Sequence, residues 1–232
     1  MKRSIAELIT RDPEKFAHHD RVFKNNPVVM QGMGLAPLVV LATTGKNALM
    51  LAVAVALLLT PSRMLACLVS RLFPLRDEQP APEELEKKLL PRALVYSGSA
   101  AVVYLAAYPI LNAVFGTDLL MLGIYLPMLV VEPLLTYRFG RVQETMRKAV
   151  SKGLRITVGY ALILFIVGCL RELLATGAVF GNQVIYAAPL PLAAQPSGGF
   201  VLVGAIAAVW CAIANLYTNY KHEEVRRLYA KH

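Results

Sequence analysis

Glu132 is the acid that stands clearly inside an apolar stretch long enough to span a bilayer, one residue before Pro133. A carboxylate is costly to bury in hydrocarbon, so it must face protein or water. Two chemistries fit: a proton or cation site, or a carboxylic acid hydrogen-bonded to carbonyls that Pro133 frees. Arg171 and Glu172 are the other charged feature of an apolar stretch. Helix neighbours point in different directions, so each is expected either to meet a partner on another helix or, for Arg171, to snorkel to the interface. Cys67, Cys169 and Cys211 lie far apart in apolar stretches without CxxC spacing and read as small apolar side chains rather than a joint metal set. His18 and His19, beside Asp20, lack helical ligand spacing and belong to a solvated basic arm. No Walker loop, dinucleotide glycine fingerprint or Ser/His/Asp motif occurs, so soluble nucleotide chemistry would belong to another subunit.

The elements that must position these groups are membrane helices. With 56% hydrophobic and 17% charged residues, the 232-residue chain is too apolar for an ordinary soluble domain. A spanning helix needs roughly 20 mostly apolar residues. Six such stretches run from Val28 to Thr44, Asn47 to Leu68, Ala93 to Phe115, Leu119 to Tyr137, Ile156 to Leu174 and Gly199 to Tyr217. Of the 24 Lys and Arg residues, 22 fall in residues 1–27, 62–92, 138–155 and 218–232, and Gly177 to Ser197 carries no charge. By the positive-inside rule both termini are cytoplasmic, which predicts a multi-pass protein of the cytoplasmic (inner) membrane. The expected organisation is a cytoplasmic arm over 1–27, a six-helix membrane domain over 28–217 and a cytoplasmic tail over 218–232. Met1 to Asn26 has no apolar core followed by a small-residue cleavage site, so no processed signal is expected there. The net charge of +9 is explained by these flanks and not by a nucleic-acid surface, since no concentrated aromatic-bearing basic patch is present. Tyr137, Phe139, Tyr217 and Tyr220 sit where an aromatic belt is expected. Pro74 to Arg92 reads as a solvated loop with one short surface helix over PEELEKKL, and the Pro-rich segment before Gly199 as a cap on the external surface.

Two stretches are interrupted alike. In MGLAPLVVLA, Gly34 precedes Pro37; in LGIYLPMLVVEP, Gly123 precedes Pro127. Pro removes a backbone donor, and Gly lets the chain leave helical geometry. One such pair is a kink; a matched pair in two halves points to an inverted repeat of three helices plus three, with the first and fourth helices broken around a protein-lined centre. The fold class is therefore all-α and integral to the membrane.

The stretch FKNNPVVMQGMGLAPLVV from Phe23 resembles the Rnf/Nqr membrane-subunit family, in its branch of Rnf E-type and Nqr D-type proteins. TGKNAL at Thr44, GIYLPMLVV at Gly123 and CLRELLATGAVFG at Cys169 extend the resemblance over nearly all spans. It implies a subunit of an ion-pumping electron-transport complex, paired in the lipid bilayer with a paralogous six-helix subunit. It also implies a cysteine in each broken helix, through which the two subunits hold an iron-sulfur cluster. Here those positions are Ala36 and Pro133, neither of which offers a side-chain ligand. The expectation is a translocase subunit that binds no cofactor alone, with iron-sulfur and flavin groups in its partners. Reuse of the scaffold as a proton- or cation-coupled transporter, or as a non-redox scaffold subunit, is the alternative. Glu132 is the candidate ion-coupling group, and Gly34, Ala36, Pro37, Gly123, Pro127 and Pro133 shape the breaks; none is assigned a catalytic role.

Overall fold

The computed structural model describes Ile9 and residues 22–72, 85–129 and 145–229. The chain is a mostly helical, multi-pass membrane protein. Short α1 (Leu35–Leu41) is followed by α2 (Gly45–Leu72) and α3 (Leu85–Phe115), which runs on into a 3-10 segment, Gly116–Leu122. After α4 (Met146–Thr176) come a two-strand hairpin of β1 (Ala178–Val179) and β2 (Asn182–Gln183), a 3-10 turn (Pro191–Ala194) and α5 (Pro196–Tyr229). Among the described residues four helical stretches are long and apolar enough to cross a bilayer: Gly45–Arg71, Ala93–Leu122, Met146–Thr176 and Pro196–Arg227.

α2 and α4 form the centre of the bundle, with α3 packed on α2. Small residues permit the close approach. A Cβ at Gly168 would collide with the Ala48 Cβ and fall 2.9 Å from the Thr44 carbonyl oxygen, so only glycine fits there. Lower on the same seam Gly153 faces Thr60, whose hydroxyl lies 3.2 Å from that of Thr157. Leu51, Leu58, Ile163 and Leu164 fill the space between the helices. α3 and α5 expose rows of apolar side chains, among them Leu105, Val114, Val201 and Leu216, as helices bordering lipid or another membrane chain do.

Two expectations are corrected. Val28 to Thr44 is not one spanning helix: residues up to Gly34 form turns, and the helical part is Leu35–Leu41. The cause is local. The Asn26 carboxamide oxygen takes the amides of Val28 and Val29 at 2.9 and 3.3 Å, and Gly32 and Gly34 adopt φ of 66° and 65°. The apolar span expected from Ala93 to Phe115 is helical, but the short surface helix expected over PEELEKKL is not separate from it: α3 begins at Leu85 and runs through Pro91. The stretch from Leu119 opens in the 3-10 segment; Gly123 then takes φ 48°, and residues 125–129 are helical. Glu132, Pro133, Tyr137 and Phe139 lie outside the described residues, as do His18 and His19.

Candidate functional site

The break before α1 is held at membrane depth by α4. The Tyr160 hydroxyl, near the middle of α4, donates to the Gly34 carbonyl at 2.7 Å. One residue earlier on α4, the Gly159 carbonyl accepts from Asn26 Nδ2 at 2.9 Å. Asn26 and Gly34 therefore stand at the same level, and the residues between them turn without advancing across the membrane. Non-helical backbone is tolerated at such depth only when protein satisfies it. Asn26 does much of this: it is 0% exposed, and besides Gly159 it serves Val22, Val28 and Val29. Gln31 Nε2 donates to Asn25 Oδ1 at 2.7 Å. α5 covers the outer side of the loop, its Trp210 donating to the Phe23 carbonyl at 2.9 Å with the two rings 5.1 Å apart. Lys24 is buried here with Nζ 5.0 Å from the centre of the Tyr217 ring, a cation over an aromatic face.

Gly34 is required twice over. Its φ of 65° is left-handed, and a Cβ there would collide with the Tyr160 ring and its hydroxyl. Pro37 follows as the third residue of α1, where a missing amide costs no helical bond. Gly123 likewise precedes a helical stretch whose third residue is Pro127.

The other end of α1 is fastened by Arg171, which is 0% exposed. Its guanidinium donates to the carbonyls of Val39 and Ala42 at the C-terminal end of α1, and to those of Ala193, Ala194 and Gln195 in the turn before α5. A fixed cation there satisfies orphan carbonyls and complements the helix dipole. Glu172 turns the other way. Its carboxylate accepts from the Gly45 amide, which opens α2, at 2.7 Å, and from the amides of Phe180 and Gly181 at 3.0 and 2.7 Å. Thr44 completes the cap, its hydroxyl accepting from Asn47 at 3.2 Å. The reading that each charge meets a separate partner holds, but Arg171 does not snorkel: the ends of α1 and of the outer turn supply enough carbonyls to bury it.

Of the residues singled out from sequence, Gly34, Ala36 and Pro37 come together at the start of α1, and Gly123 and Pro127 stand at the start of the helical stretch 125–129. Ala36 is half-buried. Its methyl group donates no electron pair, so this position does not fit as a cluster ligand. Cys67, Cys169 and Cys211 are in no disulfide among the described residues and are dispersed over α2, α4 and α5; Cys67 is buried, and the Cys211 thiol contacts the Met30 sulfur at 3.3 Å. Asn26 and Tyr160 are functional residues that sequence reasoning misses. Asn26 reads as the last polar residue of the arm, and Tyr160 as one ring in an apolar span; a polar tip at mid-span is the available signal.

Replacing Asn26 by Leu should cost about 2–3 kcal/mol, because the Gly159 carbonyl and two amides lose their partner in a dry site. Thermal unfolding of the purified chain in detergent checks this; an unchanged midpoint would show that the loop does not depend on the carboxamide.

A short helix entered through left-handed turns and fastened among long apolar helices defines a polytopic membrane protein. The chain belongs to the Rnf-Nqr family: the family described as "Rnf-Nqr subunit, membrane protein" matches residues 16–207. It is similar to the E component of the ion-translocating oxidoreductase complex of Shewanella sp. strain ANA-3, with 30% identity over 208 residues, 81% of this chain and 82% of that protein. The protein of the same name from Haemophilus influenzae strain PittEE is 32% identical over 164 residues, 68% of this chain and 63% of that one.

Proposed function

We propose that this chain is a membrane subunit of an ion-translocating oxidoreductase complex of the Rnf/Nqr type, one that does not furnish its share of an intramembrane iron-sulfur cluster. The carrying observation is the family match along residues 16–207 combined with Ala36 where the resemblance expects a thiolate beside the first break. In this reading the membrane domain is two inverted halves of three segments, the first entering through the packed turns from Val22 to Gly34 and not as a full helix, and the arm before those turns and the tail 218–232 lie in the cytoplasm beside the inner membrane. The left-handed glycines Gly34 and Gly123, each followed by a helical stretch with proline third, support the repeat. Redox groups then reside in partners, among them a paralogous six-helix subunit, and Glu132 beside Pro133 is the ion-coupling group of the second half.

Mild-detergent purification of the tagged native assembly, with subunit identification and iron and acid-labile sulfide analysis, tests this reading. Rnf/Nqr-type partners are the expected result; a lone or self-associated chain would replace it with a transporter or scaffold. For Glu132, Glu132→Gln should alter ion flux or assembly more than Lys46→Gln. Lys46 is the suitable control because among the described residues its side chain makes an exposed ion pair with Asp118, at 2.7 Å, of a kind that contributes about 0–1 kcal/mol. Equal behaviour of the two variants in a reconstituted ion-flux assay would remove the case for Glu132.

A further inference from the structure

We propose that the hairpin and turn between α4 and α5, residues 180–192, are an interfacial anchor embedded among the head groups and upper acyl chains of the adjoining leaflet. The whole run is exposed, and it reads Phe-Gly-Asn-Gln-Val-Ile-Tyr-Ala-Ala-Pro-Leu-Pro-Leu. No charged side chain occurs from Gly177 to Ser197. Contiguous apolar surface of this kind is not left facing water without a partner.

The segment is also built to hold that surface outward. Phe180 and Gly181, with φ of 53° and 76°, make a tight turn whose two amides are bound by Glu172. The amides of Val184 and Ile185 both reach the Gly177 carbonyl, at 2.9 and 2.8 Å, and that of Leu190 reaches the Leu174 carbonyl at 2.8 Å. Gln183 Nε2 donates to the carbonyls of Thr176 and Ile185. Part of the polar backbone is thus tied inward, while Val184, Ile185 and Tyr186 project; Tyr186 is 100% exposed. An apolar exterior with the remaining amides at its tip suits the membrane interface, where those amides and a tyrosine hydroxyl can stay at head-group level.

Continuity with the membrane face selects lipid as the occupant. Leu154, Val158, Leu162 and Phe165 form an exposed apolar stripe along one side of α4. The Phe165 ring meets that of Phe180 at 5.8 Å, so the stripe on α4 and the apolar hairpin join as one surface. A charge-free surface offers lipid a compatible medium but gives a water-borne protein partner little electrostatic specificity.

The anchor is a property of the chain itself and is testable without the rest of any complex. Full-length protein with Cys67, Cys169 and Cys211 replaced by Ser would carry a nitroxide on Tyr186→Cys or, for comparison, on Lys46→Cys at the same end of the bundle. In vesicles of phosphatidylcholine and phosphatidylglycerol, the label at 186 should collide with oxygen severalfold more than with a water-soluble nickel chelate, and the label at 46 should show the reverse. If the three-serine background does not fold, a Tyr186→Trp variant with its cysteines intact gives the same reading: its added fluorescence should be quenched by phosphatidylcholine brominated on the upper acyl chain. Nickel access at 186 equal to that at 46, or no added quenching, overturns the anchor. So does a site that is open to water in the isolated chain and becomes shielded from both reagents only in the native assembly, which would identify a protein-docking surface.

Discussion

Arg171→Ala is expected to cost about 3–5 kcal/mol, since several buried carbonyls lose their donor at about 1–3 kcal/mol each and a cavity is left. The substitution strips five carbonyls of a donor, those of Val39, Ala42, Ala193, Ala194 and Gln195, and empties the space of a fully buried long side chain. Both the end of α1 and the turn into α5 lose their fastening at once. Arg171→Lys keeps the charge but presents its donors on one nitrogen, so it cannot reach both sides of the clamp and should fall between wild type and alanine. Detergent-extracted yield and thermal unfolding are the measurements. Should Arg171→Ala lower the unfolding midpoint no further than Lys46→Gln, the guanidinium is not what joins these elements.

Gly34→Ala should be nearly as damaging, for two separable reasons. An L-residue at φ 65° carries about 1–2 kcal/mol of backbone strain, and forcing a methyl group into the Tyr160 ring adds about 1–3 kcal/mol of overpacking. In a Tyr160→Ala background the steric part should vanish and the backbone part remain. A double-mutant cycle by chemical or thermal unfolding therefore has a required sign: Gly34→Ala must be less costly once the ring is gone. Strict additivity would mean that the contact between α4 and the break is not retained in the working protein.

The spans that were legible in the sequence are those whose conformation follows from apolar length alone. Asn47 to Leu68, Ala93 to Phe115, Ile156 to Leu174 and Gly199 to Tyr217 each lie within one of the observed helices. Val28 to Thr44 is just as apolar yet folds differently, because hydrophobicity reports depth and not backbone geometry. There the decision belongs to the Asn26 carboxamide and two left-handed glycines, short features that a window of about twenty residues averages away. The Gly34 and Pro37 spacing did announce an interruption. What it could not announce is the partner, since Tyr160 lies 126 positions further on. The same holds for TGKNAL and CLRELLATGAVFG, which read as two separate points of family resemblance. In the folded chain they are one contact, the Gly45 amide from the first resting on the Glu172 carboxylate from the second.

These long separations bear on biogenesis. Asn26 and Gly34 find Gly159 and Tyr160, and the two ends of the α1–α2 corner find Arg171 and Glu172, each across more than a hundred residues. A ribosome must therefore complete α4 before the first break has any of these partners. Until then the buried Asn26 carboxamide lacks the Gly159 carbonyl and the Gly34 carbonyl lacks the Tyr160 hydroxyl, partners that hydrocarbon does not replace. The emerging N-terminal half is thus obliged to wait near the translocon or beside a membrane chaperone, and chains truncated ahead of Met146 should be substrates for membrane quality control rather than stable half-proteins.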